Sequence, residues 1–218
     1  MIRVLIFPLV LLLASCASDP DDTDPAEDFN RDMQEFNIAL DKAILRPSAA
    51  VYKECLADEL QSVLVNFLRN LSEPFYCVNY LISFNGEQAS NSMFRFVINS
   101  TLGFGGLFDM GNEVGLKRRE TSYKETLRNI EIPTGDYLVL PVFGPSSTRD
   151  ALAEPVSWFM DPLGYVIGFP YMFAKTAMLM ITERADNFEV LDSMMKESLD
   201  LYSTAKSMYF QKYGLKNE

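Results

Sequence analysis

Cys16 is the residue whose surroundings most clearly predict a covalent modification. It follows a Leu-Ala-Ser sequence, and the segment before it combines one positive charge, Arg3, with a short apolar run. This arrangement is typical of a bacterial lipobox, in which the signal peptide is cleaved before the cysteine and the cysteine is acylated. The alternative is an ordinary secretory signal with a chance cysteine. Because several acyl chains hold a protein stably on a bilayer, we expect Cys16 to be a lipid anchor exposed by removal of residues 1–15.

The residue types needed for most hydrolytic chemistry are missing or unspecific. The chain contains no histidine, which excludes Ser-His-Asp catalysis, Cys-His catalysis and histidine-based zinc sites. The segment from Gly144 to Ser147 is not a Gly-x-Ser-x-Gly elbow. Paired carboxylates can cleave glycosides, but with 30 Asp and Glu residues some pair is always available. We predict no catalytic residues, no cofactor and no metal, and we keep a cell-envelope hydrolase or a structural lipoprotein as alternatives.

The composition indicates one apolar and acidic domain. A chain of 218 residues is long enough for a single domain with a sizeable core. Hydrophobic residues make up 48% of it, including 16 Phe and 11 Met, and the formal net charge is -11. An acidic chain binds nucleic acid and anionic headgroups poorly. We therefore expect no nucleic-acid partner, and we expect any membrane attachment to be apolar or covalent.

Four uncharged runs, each bracketed by charged residues, form the most informative pattern. A span needs about 20 apolar residues, whereas a helix of the length of these runs reaches about 20 Å, or one leaflet. In the second run, apolar residues recur at helical spacing up to Thr101, and Gly103, Gly105 and Gly106 then break the helix. Such runs are either buried core elements or segments that enter lipid without crossing it. The runs are residues 74–86, 96–108, 137–148 and 162–174.

Hydrophobic periodicity predicts a mostly helical fold. Apolar residues recur three and four positions apart over most of the chain behind the acidic segment. Residues 137–143 form the one strand-like run, and Pro141 confines it to an edge or a bend. The expected helices are residues 29–45, ended by Pro47; residues 49–70; an element that begins at Pro74; residues 87–101; and residues 182–214.

Two charged stretches are expected at the surface. Residues 19–28 are acidic and contain proline, which predicts a tether behind the anchor. Residues 117–132 indicate an exposed face, whose basic triplet at residues 117–119 is either solvated or in contact with phospholipid headgroups. Cys55 and Cys77 either form a disulfide or are two small buried side chains. The predicted parts of the chain are residues 1–15, the signal peptide; residues 16–28, the anchor and tether; and residues 29–218, the helical domain.

Several short motifs follow one another in a fixed order behind the predicted anchor. They are Asp24-Pro-Ala-Glu-Asp-Phe-Asn-Arg31, Phe36-Asn37, Leu45-Arg46-Pro47, Asn70-Leu-Ser-Glu-Pro74, Arg95-Phe-Val-Ile-Asn-Ser-Thr-Leu-Gly103, Gly105-Gly-Leu-Phe-Asp109, Gly135-Asp-Tyr-Leu-Val-Leu-Pro141 and Phe143-Gly-Pro-Ser-Ser-Thr-Arg-Asp150. As a set they resemble the MlaA/VacJ family of outer-membrane lipoproteins, over nearly all of the mature chain. The likeness departs at residues 122–128, where glycines of the family are replaced by Lys124 and Arg128.

The resemblance implies a mostly α, single ring-like domain that lies in one membrane leaflet, with one short strand-like hairpin segment. It implies a component of the Mla intermembrane phospholipid transport system. Such a component passes mislocalised phospholipid from the outer leaflet through an amphipathic channel to a periplasmic carrier protein, and so maintains lipid asymmetry. The implied partners are phospholipid, an outer-membrane porin trimer and that carrier. Ala17, where an Asp would retain a lipoprotein in the inner membrane, points to the periplasmic side of the outer membrane.

A phospholipid channel needs both polar and apolar walls, and two segments offer that combination. Residues 95–109 carry polar residues beside apolar ones, and residues 137–149 join an apolar run to a polar one. We expect leucines and Phe143 to line the tail path, and Asn99 and Arg149 to meet the headgroup. The alternative for Arg149 is an ion pair with Asp150 or Glu154. The channel-lining candidates are Asn99, Leu102, Gly105, Gly106, Leu107, Leu140, Phe143 and Arg149.

Overall fold

The computed structural model describes residues 24–213, so the predicted signal peptide, Cys16 and the first part of the tether lie outside the described residues. Over the described part the chain is mostly helical with one small antiparallel sheet, as predicted. The elements are α1 (Glu27–Leu40), a π-helical turn (Asp41–Leu45), α2 (Arg46–Cys55), α3 (Asp58–Ile82), α4 (Gly86–Thr101), α5 (Met110–Glu113), α6 (Tyr123–Asn129), β1 (Tyr137–Leu140), β2 (Gly144–Ser147), α7 (Thr148–Met160), α8 (Pro162–Ile167), α9 (Phe169–Asp186), α10 (Phe188–Glu197) and α11 (Leu201–Tyr213).

Pro47 does not end the first helix, and that prediction was wrong. The chain stays helical from α1 into α2 because the π-helical turn lies between them. In that turn the backbone N–H of Arg46 donates to the carbonyl of Asp41, five residues earlier. Pro47 follows directly after this turn, and the wider π-helical turn accommodates the hydrogen bond that the proline cannot donate.

Pro74 also lies elsewhere than predicted. It does not begin an element but is buried in the interior of α3, a helix of 25 residues. A proline removes one helical hydrogen bond, so tertiary packing must hold the helix together at that point. The antiparallel partner α4, which packs along α3, supplies that packing. The predicted helix over residues 87–101 is confirmed as α4.

The predicted strand is confirmed as β1, and it pairs with β2 to form an antiparallel hairpin. The register places Tyr137 opposite Ser147 and Leu140 opposite Gly144. One face of the hairpin packs on α11 in what we call the tyrosine cluster, formed by Tyr137, Tyr202, Tyr209 and Val139. The side chain of Asn30 on α1 joins this cluster, since its Nδ2 donates to the Tyr137 carbonyl at 3.1 Å and its Oδ1 accepts from the Val139 N–H at 2.7 Å.

The predicted long helix over residues 182–214 is divided into the end of α9, then α10, then α11. The chain is extended at Ser198, between α10 and α11. Asp200 then caps α11, because its Oδ1 accepts from the backbone N–H groups of Tyr202 and Ser203. Such a cap starts a new helix where apolar periodicity alone suggests continuity.

The two stretches predicted at the surface are partly built into the fold. Asp24 is buried and accepts hydrogen bonds from Tyr202 Oη at 2.5 Å and Lys206 Nζ at 2.6 Å, so the tether is shorter than predicted. Within residues 117–132, α6 is helical and the Arg118 side chain is largely buried. Cys55 and Cys77 are both free thiols; Cys55 is exposed and Cys77 is buried.

Candidate functional site

Helix α4 buries polar side chains and exposes apolar ones. Ser92, Arg95 and Asn99 are at most 1% exposed, whereas Phe94 and Val97 are exposed on the opposite face. A helix that packs on a water-soluble core shows the reverse pattern. The largest fully buried side chains among the described residues are nearly all polar; they are Arg95, Glu73, Val139, Asn30, Asn70, Asn79, Asn99, Thr126, Asp150, Ser92, Ser146 and Ser147.

The buried face of α4 is organised around four charged side chains, which we call the polar network: Glu73, Arg95, Asp109 and Arg118. Arg95 Nε donates to Glu73 Oε1 at 2.8 Å, and Arg95 Nη2 donates to Asp109 Oδ1 at 2.7 Å and Oδ2 at 2.9 Å. Arg118 Nε donates to the same Glu73 oxygen at 3.1 Å. The side chains of Glu73 and Arg95 are 0% exposed. Two positive and two negative charges thus balance in the interior.

The polar network shifts the pKa of Arg95 and that of Asp109 toward their charged forms. Burial by itself lowers the pKa of Arg95, but its hydrogen bonds to Glu73 and Asp109 outweigh burial and raise it. Burial by itself raises the pKa of Asp109, but Arg95 and Arg118 outweigh burial and hold it below 3.8. Both groups are therefore charged at neutral pH, which a buried position tolerates only when the charges are paired and hydrogen-bonded.

The network fixes the glycine corner, residues 102–109, which follows α4. Asn99 Oδ1 accepts from the backbone N–H of Gly111 at 2.7 Å, and its Nδ2 donates to Asp109 at 3.2 Å. Gly106 has a φ of +96°, and a Cβ there would lie 2.5 Å from the Asn70 amide. A Cβ on Gly105, with a φ of +77°, would meet nothing within 4 Å. Gly106 therefore allows a close approach, while Gly105 serves only the turn.

Large apolar side chains cover the outside of this region. Phe84, at the turn between α3 and α4, is 93% exposed and Phe104, in the glycine corner, is 76% exposed. A second exposed apolar surface follows α7, α8 and the start of α9, with Tyr165 and Val166 more than two-thirds exposed. Several large apolar side chains exposed close together in the chain are typical of a site of contact with lipid or another protein. Over residues 24–213, no helix combines the length and apolar character required to cross a bilayer.

The structure places the channel-lining candidates in two groups. Asn99, Leu102, Gly105, Gly106 and Leu107 lie together at the end of α4 and in the glycine corner; Leu102 and Leu107 point outward and are exposed. The second group, on the hairpin and α7, is Leu140, Phe143 and Arg149. The first group packs against α3 and α5, whereas the hairpin packs against α1, α7 and α11, so the two groups belong to different packing units.

The two residues predicted to meet a headgroup already have protein partners. The amide of Asn99 bonds to Asp109 and Gly111. The Arg149 guanidinium is nearly buried and donates to Asp150, to the Ile132 carbonyl and to the Thr134 hydroxyl. The pair with Asp150 matches the alternative prediction for Arg149, although the pair is buried and not on the surface. Phe143 contacts Trp158, and the Leu140 carbonyl accepts from Asn37.

Arg149 also forms part of the wall of an open pocket of about 370 Å³. The pocket lies between the end of α6, the segment 132–135 and the first turns of α7. Its lining is mostly apolar, with Leu127, Ile132 and Leu152 contributing, and threonines at its rim. A pocket of this size and polarity has room for part of an acyl chain.

Sequence reasoning missed Glu73, Asn70 and Arg118 as parts of this site. A signal for Glu73 was present, because Glu73, Arg95 and Asp109 are three of the four charges that bracket the first two uncharged runs. Those bracketing charges form the centre of the polar network. Asn70 begins one of the motifs that carry the family resemblance, but its contact with Gly106 depends on how α3 and α4 pack and has no sequence signal of its own.

Comparisons with known proteins agree with this geometry. The family model for the MlaA lipoprotein matches residues 22–215. The intermembrane phospholipid transport system lipoprotein MlaA of Escherichia coli is 31% identical over 210 residues, covering 93% of this chain and 83% of that protein. An uncharacterised protein of Rickettsia bellii is 36% identical over 190 residues, covering 86% of this chain and 74% of that one.

A solved structure also matches, from work on how bacterial outer-membrane lipid asymmetry is maintained. Its TM-score is 0.75 at 30% sequence identity, and the match covers 87% of this chain and 96% of that one. The match covers most of both chains, so the two proteins share one fold. This chain therefore belongs to the MlaA lipoprotein family.

Proposed function

We propose that this protein is an outer-membrane lipoprotein that transports phospholipid and is embedded by its apolar surfaces in the periplasmic leaflet. The observation that carries the proposal is the inverted polarity where α3 and α4 pack together. Glu73 and Arg95 are buried there, while Phe94 on α4, and Phe84 and Phe104 beside the ends of the helices, are exposed. In water this arrangement is unfavourable, because exposed apolar area costs about 25 cal/mol per Å². In lipid that cost disappears, and paired polar groups hold the helices together.

The transport role rests on family membership together with the amphipathic surfaces. Relatives named as intermembrane phospholipid transport lipoproteins cover most of this chain. Mislocalised phospholipid leaves the outer leaflet through a channel in the protein and passes to a periplasmic carrier, with a porin trimer as the neighbour in the membrane. The pocket beside the predicted channel residue Arg149 is a candidate site for an acyl chain on this path. Acylated Cys16 keeps the protein on the periplasmic side.

The test is complementation. Cells whose own copy is deleted receive this chain or its Gly105→Val variant, and phospholipid exposed in the outer leaflet is measured. The wild type should restore a low level. Gly105→Val should not, because a β-branched residue at a φ of +77° rearranges the corner without a clash against Asn70. Gly106→Val is the less informative variant, since it does produce that clash.

The control is Val190→Thr, an exposed position on α10 outside both apolar surfaces, which should complement fully. Failure of the wild type to lower exposed phospholipid, at normal expression, would contradict the transport role. Full complementation by Gly105→Val would remove the glycine corner from the conduit.

A further inference from the structure

Two of the uncharged runs are closed at their base by an ion pair between their own bracketing charges. Arg95 and Asp109 bracket the run that contains the glycine corner, and their side chains meet at 2.7 Å. Asp161 and Lys175 bracket the run that contains α8, and Lys175 Nζ donates to Asp161 Oδ2 at 2.5 Å. In both cases the paired residues are 14 positions apart in the chain. All four side chains are buried or mostly buried.

The two closed segments share a further feature, a glycine turn between the paired charges. In the first, Gly105 and Gly106 have positive φ values, and in the second Gly168 has a φ of +106°. The chain thus leaves the ion pair, turns at glycine and returns to it. The apolar side chains beyond each pair are exposed; they are Leu102, Phe104 and Phe108 in the first segment and Tyr165, Val166, Ile167 and Phe173 in the second.

We infer that these two segments are clasped loops, in which the Arg95–Asp109 and Asp161–Lys175 pairs close the base of each loop and hold its apolar residues in position to enter the leaflet. This inference rests on the proposed function, because it takes lipid as what covers the exposed residues. The residues between the paired charges are uncharged, whereas both ends of each loop are charged. Entry of a loop into the leaflet therefore stops where its ion pair would have to lose its hydration. The six residues of α8 reach about 9 Å, well short of a 30 Å bilayer core, so the loop enters without crossing.

An ion pair suits this position better than an apolar contact does. At a boundary between water and lipid, apolar side chains gain little by packing on one another, because lipid tails are equally apolar. A hydrogen-bonded pair of opposite charges is directional and strengthens as the surroundings lose water. Asp161 and Asp109 also cap the helices that follow them, accepting from the N–H groups of Leu163 and Asn112. The carboxylates are therefore positioning residues that act through the loops they close.

The test measures how lipid contacts each loop when either clasp is broken. The protein, with its anchor, is placed in vesicles of phosphatidylethanolamine and phosphatidylglycerol that contain nitroxide-labelled phospholipid. The only tryptophan, Trp158, is replaced by Phe, and a reporter tryptophan is introduced as Val166→Trp or Phe104→Trp. Quenching by the labelled lipid then reports contact for one loop at a time.

Each clasp is broken by a change that keeps the helix cap: Asp161→Asn or Asp109→Asn. We expect Asp161→Asn to lower the quenching of the tryptophan at position 166 about threefold and to leave that at position 104 unchanged. Asp109→Asn should lower the quenching of the tryptophan at position 104 and leave that at position 166 unchanged. Lys175→Met should behave as Asp161→Asn, and Lys175→Arg, which keeps the charge and hydrogen bond, as the wild type. Lys196→Met on exposed α10 is the matched control and should change neither signal.

The outcomes separate this inference from the proposed function. If neither reporter is quenched in the otherwise unaltered protein, membrane entry itself is wrong. If both are quenched and the Asn variants leave each quenched to the same extent, the loops enter lipid but the ion pairs do not position them, and the inference is overturned. If one Asn variant lowers both signals together, the effect is a general loss of structure, which also contradicts a local clasp.

Discussion

The polar network and the tyrosine cluster are two interiors of one small domain, built from opposite chemistry. In the network, α3 and α4 are joined by charges that are 0% exposed at Glu73 and Arg95. In the cluster, Tyr137 contacts the rings of Tyr202 and Tyr209 at centroid distances of 6.0 and 5.4 Å. The first is surrounded by exposed apolar side chains, whereas the second is an aromatic core in which the hydroxyls of Tyr202 and Tyr209 are hydrogen-bonded.

On the proposal that lipid surrounds the polar network, the difference follows from the solvent outside each interior. Aromatic burial drives packing where water is the alternative environment. Where the outer surface meets lipid, the same burial contributes little, and charge pairing with directional hydrogen bonds determines how the helices pack. The two interiors therefore predict different responses to mutation and to pH.

The largest expected effect comes from removing the central cation of the network. Arg95→Met leaves Glu73 and Asp109 without their main partner in a buried position, which costs about 3–5 kcal/mol in free energy of unfolding. The measurement is denaturant unfolding in detergent, followed by far-UV circular dichroism. Near-UV circular dichroism of the tyrosine cluster should change little below the transition. A loss under 1 kcal/mol would mean that the network does not hold α3 and α4 together.

A smaller effect is expected from pH, and it acts on the two interiors at opposite ends of the scale. Burial raises the pKa of Tyr209 to about 12, so the folded state favours the neutral phenol. The contribution of Tyr209 to the free energy of unfolding is fully present below pH 10. It is lost as the pH rises from 10 through 12 and amounts to on the order of 2 kcal/mol in all. The pKa of Asp109 lies below 3.8, so its contribution is complete above that pH and is lost as the pH falls further.

The measurement for the pH prediction is the unfolding free energy at intervals from pH 3 to 12, with tyrosine ionisation followed by absorbance. Alkaline unfolding should begin at the hairpin and α11, and acid unfolding at the glycine corner. Alkaline loss that starts in α3 and α4, seen by hydrogen exchange, would contradict the assignment.

The smallest expected effect is that of Tyr209→Phe. The hydroxyl of Tyr209 donates to Asp150 Oδ2 at 3.3 Å, so its loss should cost about 1 kcal/mol. The same variant should flatten the alkaline limb, because one raised phenol pKa is removed. Unfolding titrations of the variant and the wild type at pH 8 and 11 check both expectations, and an unchanged alkaline limb would assign that limb to Tyr137 and Tyr202.

The parts of the fold that sequence predicts well are those with a local signal. Helix α4 and strand β1 follow from periodicity and from the charges and prolines that bound them. The bracketing charges at residues 95 and 109 were visible as well, and they are the centre of the candidate site. That they pair with each other was not predictable, because pairing depends on the chain turning back at the glycine corner.

The parts that sequence missed depend on tertiary contacts. Pro47 and Pro74 lie within helical segments because a π-helical turn and the packing of α4 compensate for their missing hydrogen bonds. Strand β2 has no strand pattern of its own and forms because β1 lies beside it. Asn30 belongs to a motif of the family, but nothing in the sequence predicts that it joins α1 to β1 over a separation of more than 100 residues.

The burial of Asp24 determines how far the body of the protein can move from its predicted anchor. Asp24 is held by Tyr202 and Lys206, so free movement of the chain can begin only before that residue. Asp24 lies eight positions after Cys16, and a fully extended chain of eight residues spans no more than about 28 Å. With Cys16 acylated, the chain that joins the anchor to Asp24, which contacts α11, is shorter than the thickness of the bilayer core, about 30 Å. The acyl chains and the clasped loops then hold the domain at separate points, and attachment at more than one point restricts how it tilts and rotates on the membrane.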